Sequence, residues 1–366
     1  MSNPYAPHPT DTVIVGISGG VDSAVAALLL KQAGLKVQGL FMSNWDDQDS
    51  YCTIADDYQD ARRVCEKLGI PLHRVNFAAE YREHVFAQFL SEYAAGRTPN
   101  PDVLCNREIK FGHCLEYIHR LGGAWIATGH YARVKYAPEP QLLKAIDSSK
   151  DQSYFLHSVA PTALRQTLFP LGELLKTEVR SLAHAAGLPV FDKPDSTGIC
   201  FIGERPFAEF LSRYLPINPG PIETASGKIL GEHRGLHLYT LGQRSGLGVG
   251  GTVGAPAKPW YVAEKNAPRN ALVVVQEQDH PLLLSTRFSV EQVTWIGATP
   301  DLGASMNYTV KTRYRQLDLA CQIQLTASAG VNVTLREPMR AVTPGQYAVF
   351  YLGERCIGGG MIANRL

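Results

Sequence analysis

The run Ser18-Gly19-Gly20-Val21-Asp22-Ser23 constrains this chain more than any other stretch. An apolar, strand-like segment (12–17) precedes it, and an apolar, helix-periodic one (24–30) follows. A strand, a Gly-Gly turn flanked by hydroxyls and a helix start together form an anion site. The glycines let backbone N–H groups approach a phosphate, and the helix dipole favours negative charge there. Ser18 and Ser23 add hydroxyl donors, and Asp22 stands where Mg²⁺ can be held. No Gly-Lys-Ser/Thr follows, so this is not a Walker A loop. The bland alternative is a turn that binds nothing; the flanking strand, hydroxyls and helix argue against it.

Around this loop, strand-like runs at 12–17, 37–42, 72–76 and 124–129 alternate with helical stretches at 22–33, 54–68, 81–95 and 109–121. That alternation predicts a doubly wound parallel sheet, an α/β architecture with helices on both faces. Ligands bind beyond the carboxyl ends of such strands. The Ser18 loop, Met42 and Thr128-Gly129-His130 all fall at such ends. Past Pro206 the texture changes, first to a Gly- and Pro-rich stretch and then, from about 271, to short β runs. We expect three parts: an α/β domain over 1–205, a small central module over 206–270 and an all-β, barrel-like domain over 271–366.

Composition narrows the partners. The formal net charge of the 366 residues is +1, so a nucleic-acid partner needs a local basic patch. The first ten residues are polar and Pro-rich, and no apolar run approaches membrane-spanning length, so a cytoplasmic location is the expectation. The seven cysteines are scattered and lack C-x-x-C spacing, which argues against a zinc site or a secreted disulfide framework. No resident metal centre built from clustered cysteines or histidines is expected.

Two cysteines sit in unusual contexts. Pro99-Asn100-Pro101-Asp102-Val103-Leu104-Cys105 carries two prolines that should exclude regular helix before Asp102, with a helix beginning near Asn106. Cys105 would then precede a helix N-terminus, with Arg107 and Lys110 nearby, and both features favour thiolate. A buried structural cysteine fits the same residues. Asp195-Ser196-Thr197-Gly198-Ile199-Cys200 places another thiol among small residues and hydroxyls, as a sulfur that hands over an atom requires; a packed thiol is the alternative.

Taken together, these stretches resemble the tRNA-specific 2-thiouridylases of the bacterial and mitochondrial type, within the ATP pyrophosphatases. The resemblance runs from the Ser18 loop to the C-terminal β region. It implies that Gly16, Ile17, Ser18, Gly19, Gly20, Val21, Asp22 and Ser23 bind ATP with Mg²⁺, and that Met42 and Gly129 also line the nucleotide. Asn100, Pro101 and Asp102 would meet the target base. Cys105 would be the nucleophile and Cys200 the persulfide carrier. His130, Lys150, Asp151, Gln152, Arg313, Tyr314 and Gln346 would contact tRNA. The implied reaction adenylates the C2 oxygen of the wobble uridine and replaces it with sulfur, giving 2-thiouridine, AMP and pyrophosphate. Asp102 would serve as acid or base. Cys105 would either free sulfide from the persulfide or close a Cys105–Cys200 disulfide after direct transfer. The implied partners are tRNA, through its anticodon stem-loop, and a protein sulfur donor; nothing suggests an obligate oligomer. Rivals are another adenylating enzyme of this fold, such as an amidotransferase-type synthetase, and a non-catalytic RNA-binding relative. The paired cysteines and the β region speak against both.

Overall fold

In the computed structural model, residues 7–45, 54–136, 138–195, 206–249, 258–302, 307–327 and 329–366 are described. The strands β1 (Thr12–Gly16), β2 (Lys36–Ser43), β3 (Leu72–Asn76) and β4 (Trp125–Ala127) form the expected parallel sheet. Its order is β3-β2-β1-β4, and Thr167–Leu168 adds the far edge. The chain moves from β1 to β2 and β3 on one side, then crosses to β4 on the other. The switch point therefore lies between β1 and β4, where crevices open at the carboxyl ends of such sheets.

Alternation along β1 shows why both faces are covered. Val13 and Val15 pack with Ala24, Val25 and Leu28 of helix α1 (Val21–Gln32) and with Val64 and Leu68 of helix α2 (Ile54–Leu68). Ile14 points the other way, among Tyr81, Phe89 and Ile118. All three β1 side chains are fully buried. Successive strand residues face opposite sides, so one apolar run serves two cores.

The helix after Asn100 departs from expectation. It begins at Pro101, not near Asn106, and runs on through Leu104, the π-helical turns Cys105–His113 and the α-helical Cys114–Arg120. Proline is tolerated at the first helical position, where its missing N–H would have no partner anyway. Asn100 caps that start, its side chain accepting from the Asp102 N–H at 3.2 Å. Cys105 is thus inside the helix and not ahead of it.

A hairpin missing from the sequence reading, β5 (Ala132–Lys135) and β6 (Gln141–Lys144), leaves the α/β region and joins the C-terminal sheet. It pairs Leu143 with Arg355 and Leu142 with Cys356. In that sheet, strands Leu284–Trp295, Tyr308–Lys311, Leu319–Leu325, Val331–Arg340, Tyr347–Leu352 and Arg355–Arg365 close on themselves, because the first also pairs with the last. The result is an antiparallel barrel. The run Ala271–Val275, expected to open the barrel domain, belongs instead to a central sheet with Gly220–Thr224, Ile229–His233 and Tyr261–Asn266. A short apolar strand reads the same in either sheet, so periodicity alone does not choose its neighbours. Among the described residues no helix is long and apolar enough to cross a membrane.

Candidate functional site

The Ser18 loop is pre-shaped by its own hydroxyls. The Ser18 N–H donates to Ser23 Oγ at 3.2 Å, the two hydroxyl oxygens lie 3.3 Å apart, and Ser23 Oγ donates to the Gly20 carbonyl at 3.0 Å. Gly19 has a φ of +80°, and a Cβ there would sit 2.5 Å from the Asp57 carbonyl oxygen. Only glycine fits both limits. Gly20 is the N-cap of α1, so the unpaired N–H groups of that helix start face the loop.

The neighbouring strand ends converge on it. A Cβ at Gly16 would meet Met42 Cε at 3.5 Å and Thr128 Cγ2 at 3.9 Å. Gly129 is pressed onto the start of α1, where a Cβ would lie 2.7 Å from the Ser23 nitrogen. Gly16, Met42 and Gly129 therefore lie close beside the loop; Ile17 and Val21 are buried beneath it.

Cations absent from the loop arrive from far along the chain. Lys176, at the start of helix Lys176–Ala185, places Nζ 2.7 and 2.8 Å from the two Asp22 carboxylate oxygens and 2.8 Å from Asp195 Oδ1. The Tyr131 hydroxyl donates to Asp22 Oδ1 at 2.8 Å. Lys193 Nζ donates to the Gly19 carbonyl at 3.2 Å and to Asp57 at 2.8 Å. Asp195 also receives Lys150 at 2.7 Å and Arg180 at 2.9 Å. Burial alone would raise the Asp195 carboxyl, but hydrogen bonds from Lys150 and Lys176 prevail and hold it at about 2. Sequence reading missed Lys176 and Lys193, and it gave Asp195 and Tyr131 no role of their own. Lysines scattered along a surface helix and loop carry no motif that would have singled them out.

This placement bears on Mg²⁺. Both oxygens of Asp22, the expected ligand, are engaged by Lys176, and no group of three or more metal-ligating side chains occurs among the described residues. As arranged, these residues do not form a protein-held Mg²⁺ site.

The helix that follows Asn100, the element expected to meet the target base, is reached through His130, the residue after Gly129. His130 Nδ1 is 2.7 Å from Thr128 Oγ1, and its ring meets Phe111 of the Pro101 helix and Phe169 with centroids 6.0 and 5.9 Å apart. Burial, and then the Lys110 charge, keep the His130 imidazole well below its ordinary 6.5, so it is neutral. Burial raises the half-buried Asp102 carboxyl, while Lys110 pulls the other way. The net effect favours the protonated form, which can donate a proton. Asp102 and Cys105 stand three residues apart and so lie on one side of the helix. Cys105 is only 2% exposed and packs in the core beneath that helix. Cys200 lies outside the described residues.

Of the residues expected to meet tRNA, Asp151 is buried, and several partly exposed ones are engaged by bonds inside the protein. Asp151 is 4% exposed; its carboxylate accepts from the Ala145 and Ser153 N–H groups and the Ser153 hydroxyl, with Lys311 at 3.4 Å. A direct RNA contact from Asp151 does not fit this burial, because the carboxylate organises its own turn. Gln152 exchanges bonds with the Tyr131 backbone. Arg313 donates to the carbonyls of Leu241 and Ala341 and to Thr343 Oγ1 at 2.8, 3.0 and 3.1 Å. The Tyr314 ring packs on Phe155 at 4.6 Å, and its hydroxyl reaches the Lys150 carbonyl at 3.4 Å. Gln346 bonds the backbone just ahead of Asn100.

Comparison with known proteins covers nearly all of the chain. Residues 11–204 match a family model described as the tRNA methyl transferase HUP domain, 208–276 one described as the tRNA methyl transferase PRC-barrel domain, and 285–362 one described as the aminomethyltransferase beta-barrel domain. A tRNA-specific 2-thiouridylase MnmA of Vibrio cholerae is 54% identical over 372 residues, covering 100% of both chains. One from Escherichia coli is 54% identical over 358 residues, 97% of each. Among solved structures, a 4-thiouridine synthetase–RNA complex with bound ATP aligns at a TM-score of 0.35, with 16% identity over 56% of this chain and 50% of that one.

Proposed function

The chain belongs to the tRNA-specific 2-thiouridylase family, and from that premise we propose that it converts the wobble uridine of tRNA to 2-thiouridine, using ATP and a persulfide. The observation that carries the reading is Gly129. It seats the phosphate-binding helix start directly against His130, which in turn packs on the helix bearing Asp102 and Cys105. A nucleotide held at Ser18–Ser23 and a base held at Asn100–Asp102 thereby meet across one crevice.

The residues divide the work accordingly. A carbonyl oxygen leaves poorly, so C2–O must first be activated. The uridine O2 attacks the α-phosphate of ATP, and pyrophosphate leaves into the N–H groups and hydroxyls of the Ser18 loop. Met42 and Gly16 floor the crevice beside it. Neutral His130 and the raised Asp102 sit where the uracil ring enters, and Asp102 carries the proton on the ring. The terminal sulfur of a Cys200 persulfide then attacks C2, and AMP departs. Thiolate attack by Cys105 on the Cys200 sulfur breaks the S–S bond, leaves sulfur on C2 and forms a Cys105–Cys200 disulfide. A thiol reductant afterwards restores both cysteines. In the other route Cys105 attacks the persulfide first and frees sulfide, which adds to C2. Because Cys105 is buried, either route requires its sulfur to become accessible when the base arrives. Mg²⁺ would travel with the nucleotide phosphates, where it often keeps several waters. A protein persulfide donor would load Cys200, and the enzyme would work as a cytoplasmic monomer.

The test is incubation with ATP, Mg²⁺, a persulfide donor and unmodified tRNA. Formation of 2-thiouridine with matching AMP supports the function. ATP turnover indifferent to tRNA refutes it.

A further inference from the structure

The chain leading into Asn100 is held from outside its own domain. Thr98 is 7% exposed, and its N–H donates to the Pro344 carbonyl at 3.0 Å. Gln346 Nε2, from the barrel domain, donates to the Thr98 carbonyl at 2.8 Å and the Pro99 carbonyl at 3.2 Å. Lys265 Nζ, from the central sheet, donates to the Gly96 carbonyl at 3.0 Å and to Thr98 Oγ1 at 3.4 Å. The Thr240 hydroxyl lies 3.5 Å from the Thr98 hydroxyl. There is little slack: Gly345 adopts a φ of +90°, and a Cβ there would stand 2.8 Å from the Thr98 nitrogen. Burial pulls the Lys265 amine down to about 8. A lysine held this deep against one backbone carbonyl and one hydroxyl, with no carboxylate among those partners, is costly.

We propose that Lys265 and Gln346 are positioning residues for thiolation: by fixing Gly96, Thr98 and Pro99 they set where Asn100 caps its helix, and so where Asp102 and Cys105 stand. This role rests on the thiouridylase reading above. It differs from the RNA contact that the position of Gln346 in its motif implies, since both amide protons of Gln346 are accounted for by bonds inside the protein. Two separate modules thereby grip the one segment that places the acid and the nucleophile. A displacement of about 1 Å in such a constellation costs on the order of a hundredfold in rate.

The experiment compares the full-length protein with Lys265→Met and Gln346→Met, both close in length and unable to donate. It measures single-turnover 2-thiouridine formation at saturating tRNA, tRNA affinity, and melting temperature. We expect each variant to bind tRNA within about twofold of the unmodified protein and to thiolate at least about tenfold more slowly. If one variant fails to fold, the other carries the test, because the two side chains hold the same segment from different modules. Weaker tRNA binding with an unchanged saturated rate in Gln346→Met would return that residue to RNA contact and overturn the proposal. So would unchanged rates in both variants beside an active parent. A parent that forms no 2-thiouridine at all sinks the function and this role together.

Discussion

Asp195→Asn isolates the charge at the hub that joins the phosphate loop to the chain entering Cys200. Asparagine keeps the shape of the side chain but removes the negative charge facing Lys150, Lys176 and Arg180. The folded carboxyl is held at about 2 against an ordinary 3.8. At about 1.4 kcal/mol per pH unit, that difference corresponds to ~2.5 kcal/mol. The side chain is 34% exposed, so solvent screening cuts the figure to ~1 kcal/mol. The sign follows from the depressed value: the contribution is complete above 3.8 and is lost as pH falls through about 2. Near neutral pH the variant should be less stable by ~1 kcal/mol, and the gap should narrow on acidification below 3.8. Added salt should narrow it too. Urea unfolding of both proteins, followed by fluorescence at stepped pH, measures the gap. A gap near zero at neutral pH, or one that widens in acid, would refute the charge-hub reasoning.

Gly129→Ala should raise the KM for ATP about tenfold or more, because its Cβ would press within 2.7 and 2.8 Å of backbone atoms of Ser23 and Asp22; tRNA-dependent AMP release at varied ATP reads this, and an unchanged KM rejects the crevice. Cys200→Ser should abolish persulfide-dependent thiolation with tRNA binding intact, while Cys105→Ser should still release pyrophosphate but form no 2-thiouridine; nucleoside analysis decides, and normal product from either variant removes that cysteine from the mechanism. His157 is 1% exposed, and burial lowers its pKa from 6.5 to about 4, only partly offset by its contact with the Tyr154 carbonyl. The unfolded chain takes up that proton first, so ~3 kcal/mol of stability should drain away as pH falls from 6.5 to about 4. His157→Gln should flatten this segment of the stability–pH curve, and an unaltered slope would show that other groups carry it.

Much of the architecture was legible in the sequence, because it rests on local signals. The strand–Gly-Gly–helix run placed the loop at the head of the first helix, and the alternation from 12 to 129 placed the parallel sheet. Failures came where the deciding contact is distant or the local signal is ambiguous. The prolines around Asn100 read as a barrier to helix, whereas Pro101 opens one under an Asn cap. The 132–144 hairpin contains too few residues to announce that its partner strand lies in the barrel. Ala271–Val275 looked like any apolar strand, and its pairings with Gly220–Thr224 and Tyr261–Asn266 reveal the sheet it serves.

The site residues divide along the same line. At the glycines the backbone itself explains the residue type: Gly19 and Gly129 each meet a backbone atom that no Cβ could clear. Charged and polar residues were read by position, and position does not say which way a side chain faces. Asp22 seemed to own the charge of the loop because Lys176 is 154 residues away, yet Lys176 holds both of its oxygens. That pairing has a direct physical consequence. The loop Ser18–Ser23 contains no cation; among the described residues Lys176 and Lys193 bring positive charge to it, already paired with Asp22 and Asp195 and with Asp57 and Asp60. An entering phosphate must compete with those carboxylates for the same ammonium groups. Lys176 also bonds Asp195, five residues before Cys200, so the loop proposed to hold the nucleotide and the chain entering the proposed sulfur carrier draw on one side chain. Their energetics are coupled whether or not the two cysteines ever approach in the absence of RNA.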